Sequence, residues 1–313
     1  GHLLTRPNWQ KGYGNLPNQL AEPGGIAIDP QLDRVYIADG RNRRVGVYTT
    51  DGDLVALWDG MNTPDHQPFG YPEDVAVDDQ SNVYILTQQS AHVVYKFDPS
   101  GHFLAQWGTY GSGAGQFVYP RQIAITLARE ILVTENEHTI YKFDSVGAPL
   151  PFAVTFPAEL ASSPVISTPI GIATGQDGSI YLLDRYSNQG ILRHRVLQMN
   201  AQGVVTRAWN YPTLDPVAMN SGWGMTVSGD TLFLAGYAHH KIFRLNLAGG
   251  FRDPWGDIAN NAGEIFQPHG VAIAPSTDSP SSLFVADYSI GRISRIVNDA
   301  IVQSWDAQAA GGG

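Results

Sequence analysis

The chain has 313 residues, a formal net charge of −10, 43% hydrophobic and 15% charged residues, 34 glycines, 20 prolines and no cysteine. The acidity, with no Lys/Arg run longer than Arg43-Arg44, argues against a nucleic-acid partner, which needs a basic footprint. The missing cysteines exclude disulfides, thiolate metal sites and cysteine nucleophiles, and no apolar run approaches the roughly 18 residues of a membrane span.

The predicted elements recur in chain order as six similar units. Each opens with a turn and a short apolar strand: PGGIAID at Pro23, PEDVAVD at Pro72, PRQIAIT at Pro120, PIGIATG at Pro169, GWGMTVS at Gly222 and PHGVAIA at Pro268. A second strand follows, ending at Asp39, Thr87, Glu135, Asp184, Gly236 and Asp287. A third is read in RVGVY, VVYKF, TIYKF, ILRHRVLQM, KIFRL and RISRI, and a fourth in DLVALW, HFLAQW, AVTF, VVTRAW, FRDPW and IVQSW. The fourth carries an aromatic beat: Trp9, Trp58, Trp107, Trp209, Trp255 and Trp305, with Phe156 filling the one double step. A fixed period of this length signals a repeat architecture. Gly52, Gly101, Gly147, Gly203 and Gly249 mark the turns between third and fourth strands.

Four short antiparallel strands in each of six units predict an all-β, six-bladed β-propeller. The beat has one aromatic too many, so one terminal strand is redundant. We expect Ala300–Trp305 to complete its own blade and residues 1–22 to pack on or close the last blade, with the propeller at 23–305. Residues 306–313 read as a linker-like tail, and the start at Gly1-His2 suggests a domain of a larger, bacterial protein.

VYIADGRNRRVGVYTTDGDLVALW, with the crossover WGTYGSGAGQFVYP, resembles the NHL repeat family, and the resemblance extends over residues 9–305. It implies a propeller that serves as a sensor or adaptor domain outside the cytoplasm, extracellular or periplasmic; the composition also suits a cytoplasmic protein.

In such a propeller the turn into the first strand and the loop after the second share the mouth of the axial channel. The residue after each opening proline gives Gly24, Glu73, Arg121, Ile170 and His269, with Trp223 at the same register of the fifth unit. The second ring gives Arg41, Gln88, residues 136–138, Arg185 and Tyr186, Tyr237 and His239, and Tyr288. The strands stay uniform while these positions diverge, as expected of a binding site on a repeated scaffold. Ligand-binding candidates are Trp223, Tyr237, Tyr288, Arg185, Tyr186 and Glu135. Trp223 offers either a stacking platform or a plug. Arg121 offers either a bidentate anchor for an anion or a salt bridge to Glu73 or Glu135. Asp39, Asp184 and Asp287 are expected to accept loop N–H groups.

Pro268-His269-Gly270 is similar to the motif that places zinc ligands in peptidylglycine amidating lyases, which use three such histidines. The equivalent openings here carry Glu73, Arg121 and Ile170, so only His269 matches. Together with Glu135 the motif also resembles streptogramin-type lyases, which have seven blades where this chain has six. The catalytic candidates are therefore His269, Arg121 and Glu73. No cofactor is established; calcium or zinc at the mouth are the metals to test. The leading expectation is a monomeric module binding a protein, peptide or small molecule at the mouth. The alternative is a propeller lyase or hydrolase using His269 with Arg121 and Glu73.

Overall fold

In the computed structural model the described residues are 13–89, 91–135, 139–160, 166–188, 191–210, 224–255, 265–274, 282–297 and 300–305. They form six four-stranded antiparallel sheets in simple sequential order, a six-bladed propeller. From the axis outward, blade 1 comprises Pro23–Asp29, Arg34–Asp39, Arg44–Tyr48 and Leu54–Trp58. Blade 2 comprises Tyr71–Val77, Val83–Gln88, Val94–Phe97 and Phe103–Trp107. Blade 3 comprises Pro120–Ile125, Ile131–Glu135, Thr139–Phe143 and Pro149–Leu150. Blade 4 comprises Thr168–Thr174, Ile180–Asn188, Ile191–Met199 and Val205–Asn210. Blade 5 comprises Met225–Ser228, Thr231–Gly236, Lys241–Asn246 and Gly250–Trp255. Blade 6 comprises Pro268–Ala274, Ser282–Asp287, Arg292–Val297 and Ala300–Trp305.

The core lies between blades, not within them. Each of six apolar clusters spans one pair of neighbours, including blades 6 and 1. The aromatic beat works at these interfaces. Trp58 packs on Tyr36 of its own blade and on Phe97 of the next, both with centroids 5.6 Å away. Trp107 does the same with Tyr84 and Phe143. Gly101, in the third turn of blade 2, lies against Trp58: a Cβ there would come within 2.7 Å of the indole, and its φ is +85°. Glycine is thus required twice, by the turn and by the ring. In blade 5 the left-handed turn glycine is Gly250, not Gly249.

Blade 3 departs from the sequence reading. Its fourth strand is Pro149–Leu150, not the segment around Phe156, because Pro151 has no N–H to continue the ladder. The chain crosses early to blade 4, where Thr155 bridges Val204 and Phe152, Val154 and Phe156 join that blade's cluster.

One regularity went unread in the sequence. Three residues before the opening proline, each described crossover sends an apolar side chain into an interface: Leu20, Phe69, Phe117 and Ile265 are essentially fully buried, and Ile166 is partly so. Leu20 sits between blades 1 and 6. Its segment is clasped by Arg44, whose guanidinium donates to the carbonyls of Asn15, Leu16 and Gln19 while pairing with buried Asp39 at 2.7 Å. Ala300–Trp305 pairs with Arg292–Val297 as the outer strand of blade 6; residues 3–9, the competing segment, lie outside the described residues.

Burying a leucine is worth about 1.5–3 kcal/mol, and truncating it about 2–5 kcal/mol. Leu20→Ala is therefore expected to lower unfolding free energy in urea by about 3 kcal/mol, whereas Leu127→Ala, at an exposed site (66%), leaves it within about 0.5 kcal/mol. Equal effects would show that Leu20 does not hold the seam.

Candidate functional site at the channel mouth

The mouth is built from a repeated β-bulge. In the five openings that carry a proline, it pairs with Asp39, Thr87, Glu135, Asp184 or Asp287 of the second strand, and the register slips immediately afterwards. Pro72 faces Thr87 but Asp74 faces Leu86, leaving Glu73 as the extra residue. By the same slip Arg121 is extra in blade 3, Ile170 in blade 4 and His269 in blade 6. A bulge re-aims the side chain of its extra residue. The register selected from sequence is thus the one that leaves the ladder.

The next residue stitches the ring together. Asp74 Oδ2 accepts the Ile123 N–H at 2.9 Å and Gln122 Oε1 accepts that of Ile172 at 3.1 Å, which ties blades 2, 3 and 4 at the axis. Blades 1, 5 and 6 carry Gly25, Gly224 and Gly270 here. A Cβ on Gly25 would strike the Asp74 carboxylate, and one on Gly270 the Gly24 carbonyl. Along the axis runs an open cavity of about 370 Å³, lined mainly by aliphatic residues of all six inner strands.

Two bulge residues approach each other, and a third feels the charge of one of them. Arg121 Nη1 lies 3.8 Å from Glu73 Oε1, with 33% of the arginine side chain exposed and 9% of the glutamate's. Burial pushes the Glu73 carboxyl up to about 7, against the pull of Arg121. Asp74, the next residue, is also raised by burial to about 7 despite its two backbone N–H donors. His269 is pushed down to about 4, first by burial and then by the Arg121 charge. Its Nδ1 is buried without a hydrogen-bond partner. The same cause therefore moves acid and base in opposite directions.

Tyrosines wall the site. Short 3-10 turns at Tyr237–His239 and Tyr288–Ile290 follow the second strands of blades 5 and 6. They place the Tyr237 and Tyr288 rings edge to face at 5.8 Å, and His269 stacks on Tyr288 at 5.3 Å. The Tyr288 and Tyr71 hydroxyls are 3.1 Å apart, and Tyr71 donates to Glu22 Oε2 at 3.2 Å. Burial raises the Tyr288 hydroxyl to about 12. Tyr71 and Glu22 were not among the sequence candidates. They occupy the position before the opening proline, where Glu22, Tyr71, Tyr119, Thr168 and Gln267 diverge as strongly as the position after it; that divergence was the available signal.

The other candidates lie elsewhere. Arg185 and Tyr186, expected in a loop, belong to the long second strand of blade 4, where they pair with His194 and Arg193. Tyr186 is buried beneath the Arg195 guanidinium at 4.6 Å and donates to Asn210 Oδ1. Burial, with Arg185 and His239 nearby, pushes His194 down to about 4. Glu135 is buried and accepts the N–H groups of Val118 and Tyr119 and the Tyr141 hydroxyl. This is the role that Asp39, Asp184 and Asp287 play elsewhere. Those aspartates accept crossover N–H groups from Ala21, Ser167 and Phe266 and pair with Arg44, Arg195 and Arg292. Trp223 and residues 136–138 lie outside the described residues. Among the described residues no three His, Cys, Asp or Glu side chains gather as a metal-holding group, and no helix is long and apolar enough to cross a membrane.

The NHL repeat family matches residues 20–48. Among solved structures, virginiamycin B lyase from Staphylococcus aureus is 18% identical, with 95% of this chain and 88% of that chain covered at a TM-score of 0.61. A gluconolactonase from Xanthomonas campestris is 15% identical over 87% of this chain and 85% of that chain, TM-score 0.58. A chain of a nidogen/laminin complex is 17% identical over 74% and 79%, TM-score 0.54. At these identities the likeness is one of fold. The matched NHL repeat lies in blade 1, and the six four-stranded sheets make the chain a six-bladed β-propeller.

Proposed function

We propose that the channel mouth binds a small molecule carrying an anionic group, received by Arg121 beside Glu73, His269 and the tyrosine wall. One observation carries this reading. Bulges at one register of blades 2, 3 and 6 set a carboxyl 3.8 Å from a guanidinium and place an imidazole within reach of that guanidinium's charge, and the Glu73 and His269 side chains are not among the carboxylate ties described for the crossovers. A partly exposed guanidinium beside buried groups offers charge-assisted hydrogen bonds to a carboxylate or phosphate.

A second reading, a lyase or hydrolase, is favoured by the Glu73 carboxyl. An acid held near 7 is suited to moving a proton at neutral pH, and His269 stays uncharged beside it. The solved lyase structures include a catalytically inactive histidine-to-alanine form with quinupristin, which motivates testing His269. In this reading Glu73→Gln abolishes turnover while ligand affinity persists. Loss of binding and turnover together would leave binding as the role of Glu73.

Arg121→Gln is expected to weaken binding of small carboxylates by at least about tenfold, or 1.4 kcal/mol, in isothermal titration. Unchanged affinity would remove Arg121 from the site. Binding should also fall as pH rises from 6 to 8, because Glu73 ionises through about 7 and then competes for Arg121. The groups facing Glu73 are Arg121, Asp74, Tyr71 and Tyr288. Asp74 titrates in the same window, so the slope left in Glu73→Gln measures Asp74.

Stability follows the same sign. The folded Glu73 pKa is raised above its unfolded value, so its favourable contribution is complete below about 4.5 and is lost as pH rises through about 7. Glu73→Gln should flatten the decline in unfolding free energy between pH 5 and 8 and gain up to about 2 kcal/mol at pH 8. An unchanged slope would show that Glu73 is not the titrating group.

A further inference from the structure

The hydrogen bonds at the mouth run in one direction. Glu22 Oε1 pairs with Arg41 at 3.3 Å and accepts the Tyr13 hydroxyl at 3.4 Å. Oε2 accepts the Tyr71 hydroxyl. A carboxylate only accepts, so the Tyr71 proton points at Glu22. The Tyr288 hydroxyl lies 3.1 Å from the Tyr71 oxygen and within hydrogen-bonding reach of Glu22, so its proton has an acceptor in either direction and is committed as well. What Tyr288 retains for a ligand is its lone pairs.

Glu73 adds carboxyl oxygens across the mouth with the Arg121 guanidinium beside it, whereas the Arg41 guanidinium is paired with Glu22. One side of the mouth therefore accepts hydrogen bonds and the other supplies a positive charge, with the Tyr237 and Tyr288 rings as an apolar wall. An unsubstituted alkyl carboxylate satisfies the charge and leaves the acceptors desolvated and unpaired, at a cost in affinity. A ligand with hydroxyl groups near its carboxylate satisfies both sides.

We infer that the mouth takes a small hydroxylated carboxylate, with its acid group on Arg121 and its hydroxyls donating to Tyr288 and Glu73, and that Glu22 and Tyr71 are positioning residues that set the direction of the Tyr288 hydroxyl. The inference rests on the mouth being a ligand site and specifies the class of ligand. Glu22 reaches the mouth because it lies two residues beyond Leu20, in the segment that fills the seam between blades 6 and 1. The specificity of the site thereby depends on how the ring closes.

The test uses three probes on the full chain: D-glucuronate, D-glucose lacking the acid, and hexanoate lacking the hydroxyls. Isothermal titration is expected to rank glucuronate at least about tenfold above either of the others. Glu22→Gln preserves shape, but its amide can donate to Tyr71 and reverse the relay, turning the Tyr288 proton towards the ligand. It should weaken glucuronate by about tenfold and leave hexanoate within twofold, with an unchanged melting midpoint. Tyr71→Phe removes one of the two acceptors of the Tyr288 proton and should shift selectivity in the same direction, which keeps the test decisive if Glu22→Gln unfolds. A merely structural role would weaken both acids alike. Hexanoate binding as tightly as glucuronate, or wild-type selectivity in both variants, overturns the inference while an Arg121-dependent site stands. Failure of all three probes to bind, or glucuronate binding indifferent to Arg121→Gln, overturns the inference and the binding reading together.

Discussion

Crowding at the propeller axis governs the rest of this structure. Six inner strands converge until the main chain of one blade touches the next: a Cβ on Gly24 would strike the Glu73 carbonyl, and Gly224 N–H donates to the His269 carbonyl at 2.8 Å. No regular pleat can send a large side chain into that space. The bulge after the opening proline resolves the conflict, because it takes one residue per blade out of the ladder. Glu73, Arg121 and His269 are therefore displayed by the device that lets the ring close.

The same crowding sets the electrostatics. Water is stripped from a carboxyl and an imidazole together, and each moves towards its neutral form. At neutral pH the Glu73 proton is shared about equally between bound and free, His269 is uncharged, and Arg121 is the permanent charge among the three. The Arg121 guanidinium then sits beside a carboxyl whose attraction weakens whenever it picks up a proton. The Arg121–Glu73 pair differs in this from the buried pairs of Asp39, Asp184 and Asp287, whose carboxylates also hold crossover N–H groups.

The aromatic beat made the blade number legible, since a tryptophan clamping two blades must recur once per blade. The mouth register was legible because five openings carry a proline and the next residue diverges. Arg185 and Tyr186 were misplaced because nothing local stops the blade 4 strands at Asp184; the hairpin continues through cross-strand pairing that a single strand does not display. Glu135 stands where three other blades carry aspartate, and its longer side chain reaches the equivalent crossover N–H groups. Tyr71 and Glu22 were invisible for a different reason. Their importance comes from a contact between blades 1, 2 and 6, and Tyr71 and Tyr288 lie 217 positions apart.

Roles in this chain are allotted by distance from the opening proline. Three residues before it, a side chain fills an interface; two before it, in blades 1, 3, 4 and 6, an N–H meets a second-strand carboxylate; one before and one after it face the mouth; two after it, the ring is stitched. The mouth positions are thus separated by one or two residues from positions that hold the fold, and the side chains at Glu73 and His269 belong to none of the ties. Their chemistry can change without unfastening the ring. Arg44 and Leu20 have no such freedom, since the clasp they form is also what carries Glu22 to Tyr71. If the mouth binds the ligand proposed for it, closure and recognition meet at that one seam, and a change there alters both the stability of the ring and the direction of the hydrogen bonds offered to that ligand.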